Sequence, residues 1–137
     1  MPTAIQIADT LALPAADELR AQILGKPMNY DTACQQLRAA SGRIVVFHTA
    51  VCLLNAASKK LQTRVVPTRV HFRVLDEATI KRYLEKEQPY NCAGSAKAEA
   101  LGITLLQRFE AEDPTAVIGL PLIALSEMLR QEGVTVP

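Results

Sequence analysis

The chain has 137 residues, 49% hydrophobic and 21% charged, with a formal net charge of +1. This balance is typical of a globular domain that buries a core, and it excludes the strongly basic footprint of a nucleic-acid-binding domain. No apolar run approaches the ~20 residues that span a bilayer, and the first residues lack a signal-peptide pattern, so we expect no membrane association. The three cysteines form no Cys-x-x-Cys pair. They therefore predict neither a disulfide framework nor a zinc site, and they favour a cytoplasmic location.

The first half of the chain predicts a strand, a loop, a helix and a second strand. Residues 3–8 read as a short strand that ends at Asp9, and residues 13–24 read as a loop. Asn29 or Asp31 can cap a helix that runs to about Ala40, where Ser41 and a glycine end it. The β-branched and apolar run 43–54 predicts a buried strand, and residues 55–60 predict the turn after it.

Residues 64–74 alternate with a period of two, which predicts a strand with two different faces. The core face carries Val66, Val70, Phe72 and Val74. The opposite face is a basic stripe formed by Arg69, His71 and Arg73. An anion site and a dimer contact are possible uses of this stripe, but a solvated strand face is the interpretation we favour.

The second half predicts two helices and two further strands. Asp76 can cap a helix through about Lys86 that buries Ile80 and Leu84. Residues 102–109 and 116–120 read as strands. Pro121 suits the start of a last helix, which ends at Gly133 and carries Leu122, Leu125, Met128 and Leu129 inward. The chain is therefore predicted to be one domain, residues 1–137, of mixed α/β class, with a central mixed sheet flanked by helices.

Four charged side chains are candidates for chemistry. Asp9 follows an apolar strand, where a carboxylate is either a turn former or a functional acid. Lys26 lies in a Gly-Lys-Pro turn and taken alone is an exposed turn lysine. Lys97 and Glu99 lie two residues apart in a loop of small residues, which suits either a polar ligand or ordinary surface charge. His48 lies in the predicted central strand, where a hydrogen-bonded histidine is favoured over a ligand contact.

Five stretches of sequence occur together in an order that resembles the Maf family of nucleotide pyrophosphatases. They are Ala8-Asp9-Thr10, Ile23-Leu24-Gly25-Lys26-Pro27, Ser41-Gly42-Arg43, the run from Cys92 to Thr104, and Gly119-Leu120-Pro121-Leu122. The resemblance implies a fold like that of Maf and inosine-triphosphatase proteins. It also implies an enzyme that cleaves the α–β phosphoanhydride of a nucleoside triphosphate and yields the monophosphate and pyrophosphate.

The resemblance also assigns roles to single residues. Asp9 is implied as the general base that activates the attacking water, or as an activator linked to a divalent cation, magnesium or manganese. Lys26 is implied as a phosphate-binding point charge. The Gly-Leu-Pro-Leu segment is expected to turn a strand into the last helix, without a catalytic role.

Substrate specificity is implied by Lys97 and Glu99. Together with Ser95 they match the Ser-x-Lys-x-Glu pattern of the subgroup that hydrolyses 7-methyl-GTP. A carboxylate suits the guanine edge, since N1–H and the 2-amino group are adjacent donors, and it favours the positive charge of a 7-methylated ring. Thr10 stands where that subgroup usually has glutamine, and an Asp-Thr pair is more typical of the pyrimidine-specific branch.

The resemblance implies one further expectation. Full-length members begin with a strand and a Ser-x-Ser-Pro-Arg-Arg-type loop that grips the triphosphate, and no such segment precedes Asp9. The alternatives to an active enzyme are therefore an inactive truncated remnant and a nucleotide-binding or partner-binding module without catalysis. Uncovered apolar sheet surface would favour a homodimer.

Overall fold

The computed structural model describes residues 4–7, 11–14 and 24–137, the first two stretches as backbone strands. Asp9 and Thr10 lie outside the described residues. The described elements, in chain order, are β1 (Ala4–Ile7), β2 (Leu11–Pro14), α1 (Tyr30–Ala40), β3 (Ile44–Leu54), β4 (Leu61–Phe72), α2 (Glu77–Glu87), β5 (Leu106–Ala111) and α3 (Leu122–Gln131). Short 3-10 turns occupy Ala93–Ser95, Leu101–Leu105 and Ala116–Ile118.

The strands form one sheet in the order β1-β3-β4-β5, and β2 also pairs with β3. Strand β1 runs antiparallel to β3, with Ala4 opposite Leu54. The turn between β3 and β4 is closed by Asn55, whose backbone N–H donates to the carbonyl of Lys60 at 2.9 Å. The side-chain oxygen of Asn55 also accepts from the backbone N–H groups of Ala57 and Ser58. The α/β class predicted from the sequence is confirmed.

The chain packs as two compact units, and β3 and β4 each contribute residues to both. The first unit contains β1, His48–Thr68 and Ala111–Pro137. Its core joins the strands to the inner face of α3 and is formed by Val51, Leu53, Val66, Ala116, Ala124, Leu125 and Met128. The prediction of a single domain stays a prediction.

The start of α3 in the first unit is capped by a residue that is distant in sequence. Asp113 is 2% exposed and accepts hydrogen bonds from the backbone N–H groups of Thr115 and Ile123, both at 2.8 Å. The Thr115 hydroxyl also donates to it and accepts from the N–H of Leu122 at 2.9 Å. Two unpaired donors of the first helical turn are thereby satisfied by side chains.

The second unit contains Arg69–Glu110 and the described part of residues 11–47. Helices α1 and α2 pack together there. The N-cap of α1 is Asn29, one of its two predicted candidates, and the N-cap of α2 is Asp76, as predicted. The Asn29 side chain accepts from Thr32 N at 2.9 Å, and the Asp76 side chain accepts from Thr79 N at 2.7 Å. The buried apolar residues of this unit include Leu37, Phe72, Ile80, Leu84 and Leu105.

Several predicted elements are confirmed and others are wrong. The three helices and the two central strands lie where the pattern places them, but residues 11–14, read partly as loop, form β2. Val74 is 80% exposed, since β4 ends at Phe72 and the alternation ends with it. Leu122 is 47% exposed in the first turn of α3. The run predicted as a strand at 102–109 begins with a 3-10 turn and becomes extended only at Leu106.

The predicted strand at 116–120 is a 3-10 turn instead. The cause is visible just before it, where Asp113 and Thr115 bind one another and hold the chain in a turn. Among the described residues, no helix is both long and apolar enough to cross a membrane.

Candidate functional site

The Gly25-Lys26 turn of the second unit is held by its backbone. The carbonyl of Gly25 accepts from the Gln36 side-chain amide at 2.9 Å and from the N–H of Gly94 at 3.1 Å. Three residues on, Met28 N–H donates to the carbonyl of Tyr90 at 2.9 Å. Lys26 is exposed between these two anchor points. The turn therefore presents its lysine from a fixed backbone.

The segment that carries Lys97 and Glu99 lies beside this turn. Gly94 and Ser95 are buried and both adopt positive φ angles, 67° and 58°. Serine is uncommon in this left-handed region, so the surrounding contacts must hold it there. Its hydroxyl donates to the Gln36 side-chain oxygen at 2.7 Å. The strained backbone is thus fixed by a buried hydrogen bond.

Tyr83 of α2 supports the same segment from the other side. Its hydroxyl donates to the carbonyl of Ser95 at 2.8 Å and accepts from the backbone N–H of Lys97 at 3.1 Å. The ring is buried, and burial raises the pKa of Tyr83 well above that of a free tyrosine, although the hydrogen bond from Lys97 opposes the shift. The phenol therefore stays neutral and keeps its donor.

Lys97 has a carboxylate partner at the end of α2. Its ammonium lies 3.4 Å from Glu87 Oε1, and the Glu87 side chain is only 11% exposed. The other carboxylate oxygen of Glu87 accepts from the N–H of Leu101 at 3.3 Å. Glu87 therefore orients both the lysine and the chain that follows it, while Glu99 is exposed nearby.

The segments that carry Lys26 and the Lys97–Glu99 pair lie side by side. Gly94 N–H donates to the carbonyl of Gly25 at 3.1 Å, and the Gln36 side chain binds both Gly25 and Ser95. The pKa of Cys92 is raised, first by burial and then by the negative charges of Glu99 and Glu87, whereas Lys97 and Lys26 lower it. These adjoining segments, with Lys26, Lys97 and Glu99, form the cluster of candidate site residues.

Three other residues were candidates from the sequence. Asp9 and Thr10 lie outside the described residues, and His48 lies half-buried within β3. Among the residues that the structure describes, no group of three or more histidine, cysteine, aspartate or glutamate side chains is placed to hold a metal ion.

The basic stripe on β4 is paired with a carboxylate. Glu110 of β5 lies 3.0 Å from His71 Nε2, 3.7 Å from Arg69 Nε and 2.6 Å from an Arg108 nitrogen. The pKa of Glu110 is lowered, chiefly by the hydrogen bond to His71 and then by the neighbouring charges. Arg73 donates instead to the carbonyl of Thr104 at 2.8 Å. Arg69 and Arg73 are exposed, as favoured from the sequence, whereas His71 is half-buried, and Arg69 and His71 share this carboxylate.

Two open clefts in the second unit are lined by residues other than Lys26, Lys97 and Glu99. The larger, about 450 Å³, lies between α1 and α2 and includes Tyr30, Cys34 and the Arg38–Glu77 ion pair. The smaller, about 240 Å³, is lined by cationic side chains from β4's end and α2, namely Arg73, Arg82 and Lys86. The smaller cleft is therefore a competing place for an anionic ligand.

Three residues that support the cluster were not predicted from the sequence, namely Gln36, Tyr83 and Glu87. Gln36 and Tyr83 each lie beside the apolar positions of an amphipathic helix, at Leu37 and Leu84. A polar residue that shares the buried face is the signal that could have found them, because a buried amide or phenol needs a partner. Glu87 gives no such signal, since it resembles any charged residue at a helix end.

A family model described as Maf-like protein matches residues 3–132. The chain therefore belongs to the Maf-like family, and the resemblance stated from its motifs is confirmed.

Similar proteins carry a more specific name. The chain is 61% identical over 113 residues to the 7-methyl-GTP pyrophosphatase of Thiobacillus denitrificans, covering 82% of this chain and 56% of that protein. It is 55% identical over 113 residues to the protein of that name from Nitrosospira multiformis, covering 82% and 57%. With the Pseudomonas aeruginosa protein of that name, identity is 54% over 119 residues, covering 87% and 62%. The chain thus spans less than two thirds of the length of these relatives.

Proposed function

We propose that the chain acts in nucleotide pyrophosphate hydrolysis, with 7-methyl-GTP as the preferred substrate. The observation that carries this proposal is the junction between the Lys26 turn and the Lys97–Glu99 segment, where Gly94 N–H donates to Gly25 at 3.1 Å and the Gln36 side chain binds Gly25 and Ser95. The lysines and the exposed carboxylate of Glu99 on these adjoining segments suit a ligand with an anionic phosphate chain at one end and hydrogen-bond donors at the other, while Glu87 pairs with Lys97. A nucleoside triphosphate with a guanine base has both.

In this proposal each residue has a distinct task. Lys26 binds the phosphate chain from the rigid Gly25 turn, as a point charge. Glu99 accepts hydrogen bonds from N1–H and the 2-amino group of the guanine edge and favours its 7-methylated, positively charged ring. Lys97, held by Glu87, contributes a second positive charge beside the nucleotide.

The proposed reaction is attack by water on the α phosphorus. The bond between that phosphorus and the α–β bridging oxygen breaks, and the products are 7-methyl-GMP and pyrophosphate. Asp9 is proposed to take the proton from the attacking water.

A divalent cation, magnesium or manganese, is proposed to accompany the phosphate chain. Magnesium usually keeps several waters and binds phosphate oxygens with one or two carboxylates, so it needs no dedicated protein cage. Bound there, the cation offsets phosphate charge. Free thiols at Cys34, Cys52 and Cys92 agree with a reducing, cytoplasmic setting.

The test compares pyrophosphate release from 7-methyl-GTP, GTP, UTP, dTTP and CTP in the parent chain and in Glu99→Gln. We expect the parent to prefer 7-methyl-GTP and the variant to lose about tenfold of that preference, since a charge-assisted hydrogen bond becomes a neutral one. Glu85→Gln on the exposed face of α2 is the matched control and should leave the substrate ratio unchanged. An unchanged ratio in Glu99→Gln would remove Glu99 from base recognition. Orthophosphate and a diphosphate as products would contradict the proposed reaction.

A further inference from the structure

Gln36 is a buried polar side chain on the inner face of α1. A primary amide that is removed from water is costly unless its donor and acceptor both find partners. At Gln36 both do, since Nε2 donates to the carbonyl of Gly25 at 2.9 Å and Oε1 accepts from the Ser95 hydroxyl at 2.7 Å. The helix therefore fixes the orientation of one amide group and, with it, of two partners.

The two partners of Gln36 belong to different segments. Gly25 precedes Lys26, and Ser95 precedes Lys97 and Glu99 by a few residues. Residues 25 and 95 are 70 positions apart in sequence, so nothing local keeps them in register. The direct backbone bond from Gly94 N–H to Gly25 at 3.1 Å joins the same two segments. The Gln36 amide is a second connection, through a side chain anchored in a helix.

Ser95 shows why a second connection matters. Its φ of 58° is a conformation that L-residues other than glycine rarely adopt. The residue is fully buried, with its hydroxyl bound to Gln36 and its carbonyl bound to Tyr83. A strained residue persists only where its surroundings over-determine it, and such residues concentrate at functional sites. Loss of the Gln36 bond would let Ser95 relax, and the chain toward Lys97 would follow.

We infer that Gln36 is a positioning residue that sets the separation between Lys26 and the Lys97–Glu99 pair. It touches neither substrate nor reacting atoms. It acts through Gly25 on one side and through Ser95 on the other. The consequence for nucleotide selection rests on the proposed function, but the mechanical coupling of the two segments does not.

The test uses Gln36→Met, which keeps the length and approximate volume of the side chain and removes both hydrogen bonds. Gln35→Met is the matched control, because Gln35 is the neighbouring residue on α1 and is exposed. The first readout is amide hydrogen exchange at Gly94 and Lys97, whose N–H groups bind Gly25 and Tyr83. We expect exchange at these two amides to accelerate by about tenfold in Gln36→Met, with exchange in α2 unchanged, as local opening predicts.

The second readout is the ratio of dissociation constants for 7-methyl-GTP and UTP. We expect Gln36→Met to reduce the preference by about tenfold and Gln35→Met to preserve it, since a displaced Glu99 no longer meets the base edge. Ser95→Ala removes the same hydroxyl–amide bond from its other end. If the bond is the cause, the effects of Gln36→Met and Ser95→Ala on exchange at Gly94 will be non-additive.

The outcomes distinguish a failure of the inference about Gln36 from a failure of the proposed function. Local acceleration at Gly94 and Lys97 in a chain that binds no nucleotide would support the coupling and overturn the proposed function. Exchange at these amides that is the same in Gln36→Met as in Gln35→Met would overturn the inference. So would a uniform acceleration across both helices, because that is global destabilisation. If Gln36→Met does not fold, Ser95→Ala is judged by the same criteria.

Discussion

Gly102 packs so closely against the backbone of Lys97 that a single methyl group there should disturb the site. A Cβ added at Gly102 would lie 2.5 Å from the Lys97 carbonyl oxygen, 2.6 Å from its carbon and 2.7 Å from its nitrogen. All three are backbone atoms, so no side-chain rotation relieves the overlap. The Lys97 carbonyl also accepts from the N–H groups of Ala100 and Gly102, both at 3.0 Å.

The expected magnitude follows from these distances. An ordinary contact begins near 3.4 Å, so the backbone at Lys97 must retreat by about 0.9 Å from the 2.5 Å contact. Overpacking of this kind typically costs about 1–3 kcal/mol of stability. A displacement of about 1 Å in a binding group can lower activity or affinity by about 100-fold. We therefore expect Gly102→Ala to lower stability moderately and nucleotide affinity strongly.

The assay measures the free energy of unfolding in urea and the dissociation constant for 7-methyl-GTP for the same preparations. Gly25→Ala is the stability control, because its Cβ meets nothing within 4 Å, and its free energy of unfolding should be unchanged or slightly higher. Gly133→Ala controls for destabilisation alone, since its φ of 81° makes any side chain strained, and affinity should survive in the folded chain. Full affinity in Gly102→Ala would refute the placement of Lys97 in the site.

Two further predictions concern other parts of the chain. Asp113→Ala should lower the free energy of unfolding by about 3 kcal/mol at pH 7, because three donors lose their acceptor: the N–H and hydroxyl of Thr115 and the N–H of Ile123 in the first turn of α3. The neighbouring exposed Glu112→Ala should change little. Burial opposes ionisation of Asp113, but its hydrogen bonds prevail and its pKa is lowered. Its contribution to the free energy of unfolding should therefore be complete above about pH 4 and should fade as the pH falls through that lowered pKa. A stability difference between the parent and Asp113→Ala that is constant down to pH 2 would contradict this. Asp9→Asn should reduce turnover by about 100-fold or more without changing the melting temperature, as expected for a general base, and a fully active variant would remove Asp9 from the mechanism.

The helices were predictable because their signals are local. Asn29 and Asp76 are N-caps that bind backbone N–H groups three residues away, and the apolar faces follow a helical period. Asp113 shows the limit of local signals, since it caps a helix that begins about ten residues later. The apolar run 116–120 was predicted as a strand, so the turn that makes this capping possible was not predicted. Val74 shows the same limit, because periodicity does not mark the residue at which a strand stops.

The candidate site residues could be predicted from the sequence, but the residues and backbone groups that hold them in place could not. Lys26, Lys97 and Glu99 were singled out through the family resemblance, and the structure joins the two segments that carry them by hydrogen bonds. Gln36 and Tyr83 gave a weaker signal, a polar group beside apolar positions of a helix. Their partners, Gly25 and the backbone of Ser95 and Lys97, could not be predicted because they are backbone atoms of segments brought together only by folding.

The most direct test of this nucleotide site is an NMR titration of the ¹⁵N-labelled chain with 7-methyl-GTP and magnesium. We predict that the largest shifts fall on the amides of Gly25, Lys26 and residues 94–99, with smaller shifts at Tyr83. Shifts centred on Arg82 and Lys86 would place the phosphates in the smaller, cationic cleft instead. That result, or a folded chain whose spectrum does not respond to millimolar nucleotide, would contradict a nucleotide site formed by Lys26, Lys97 and Glu99.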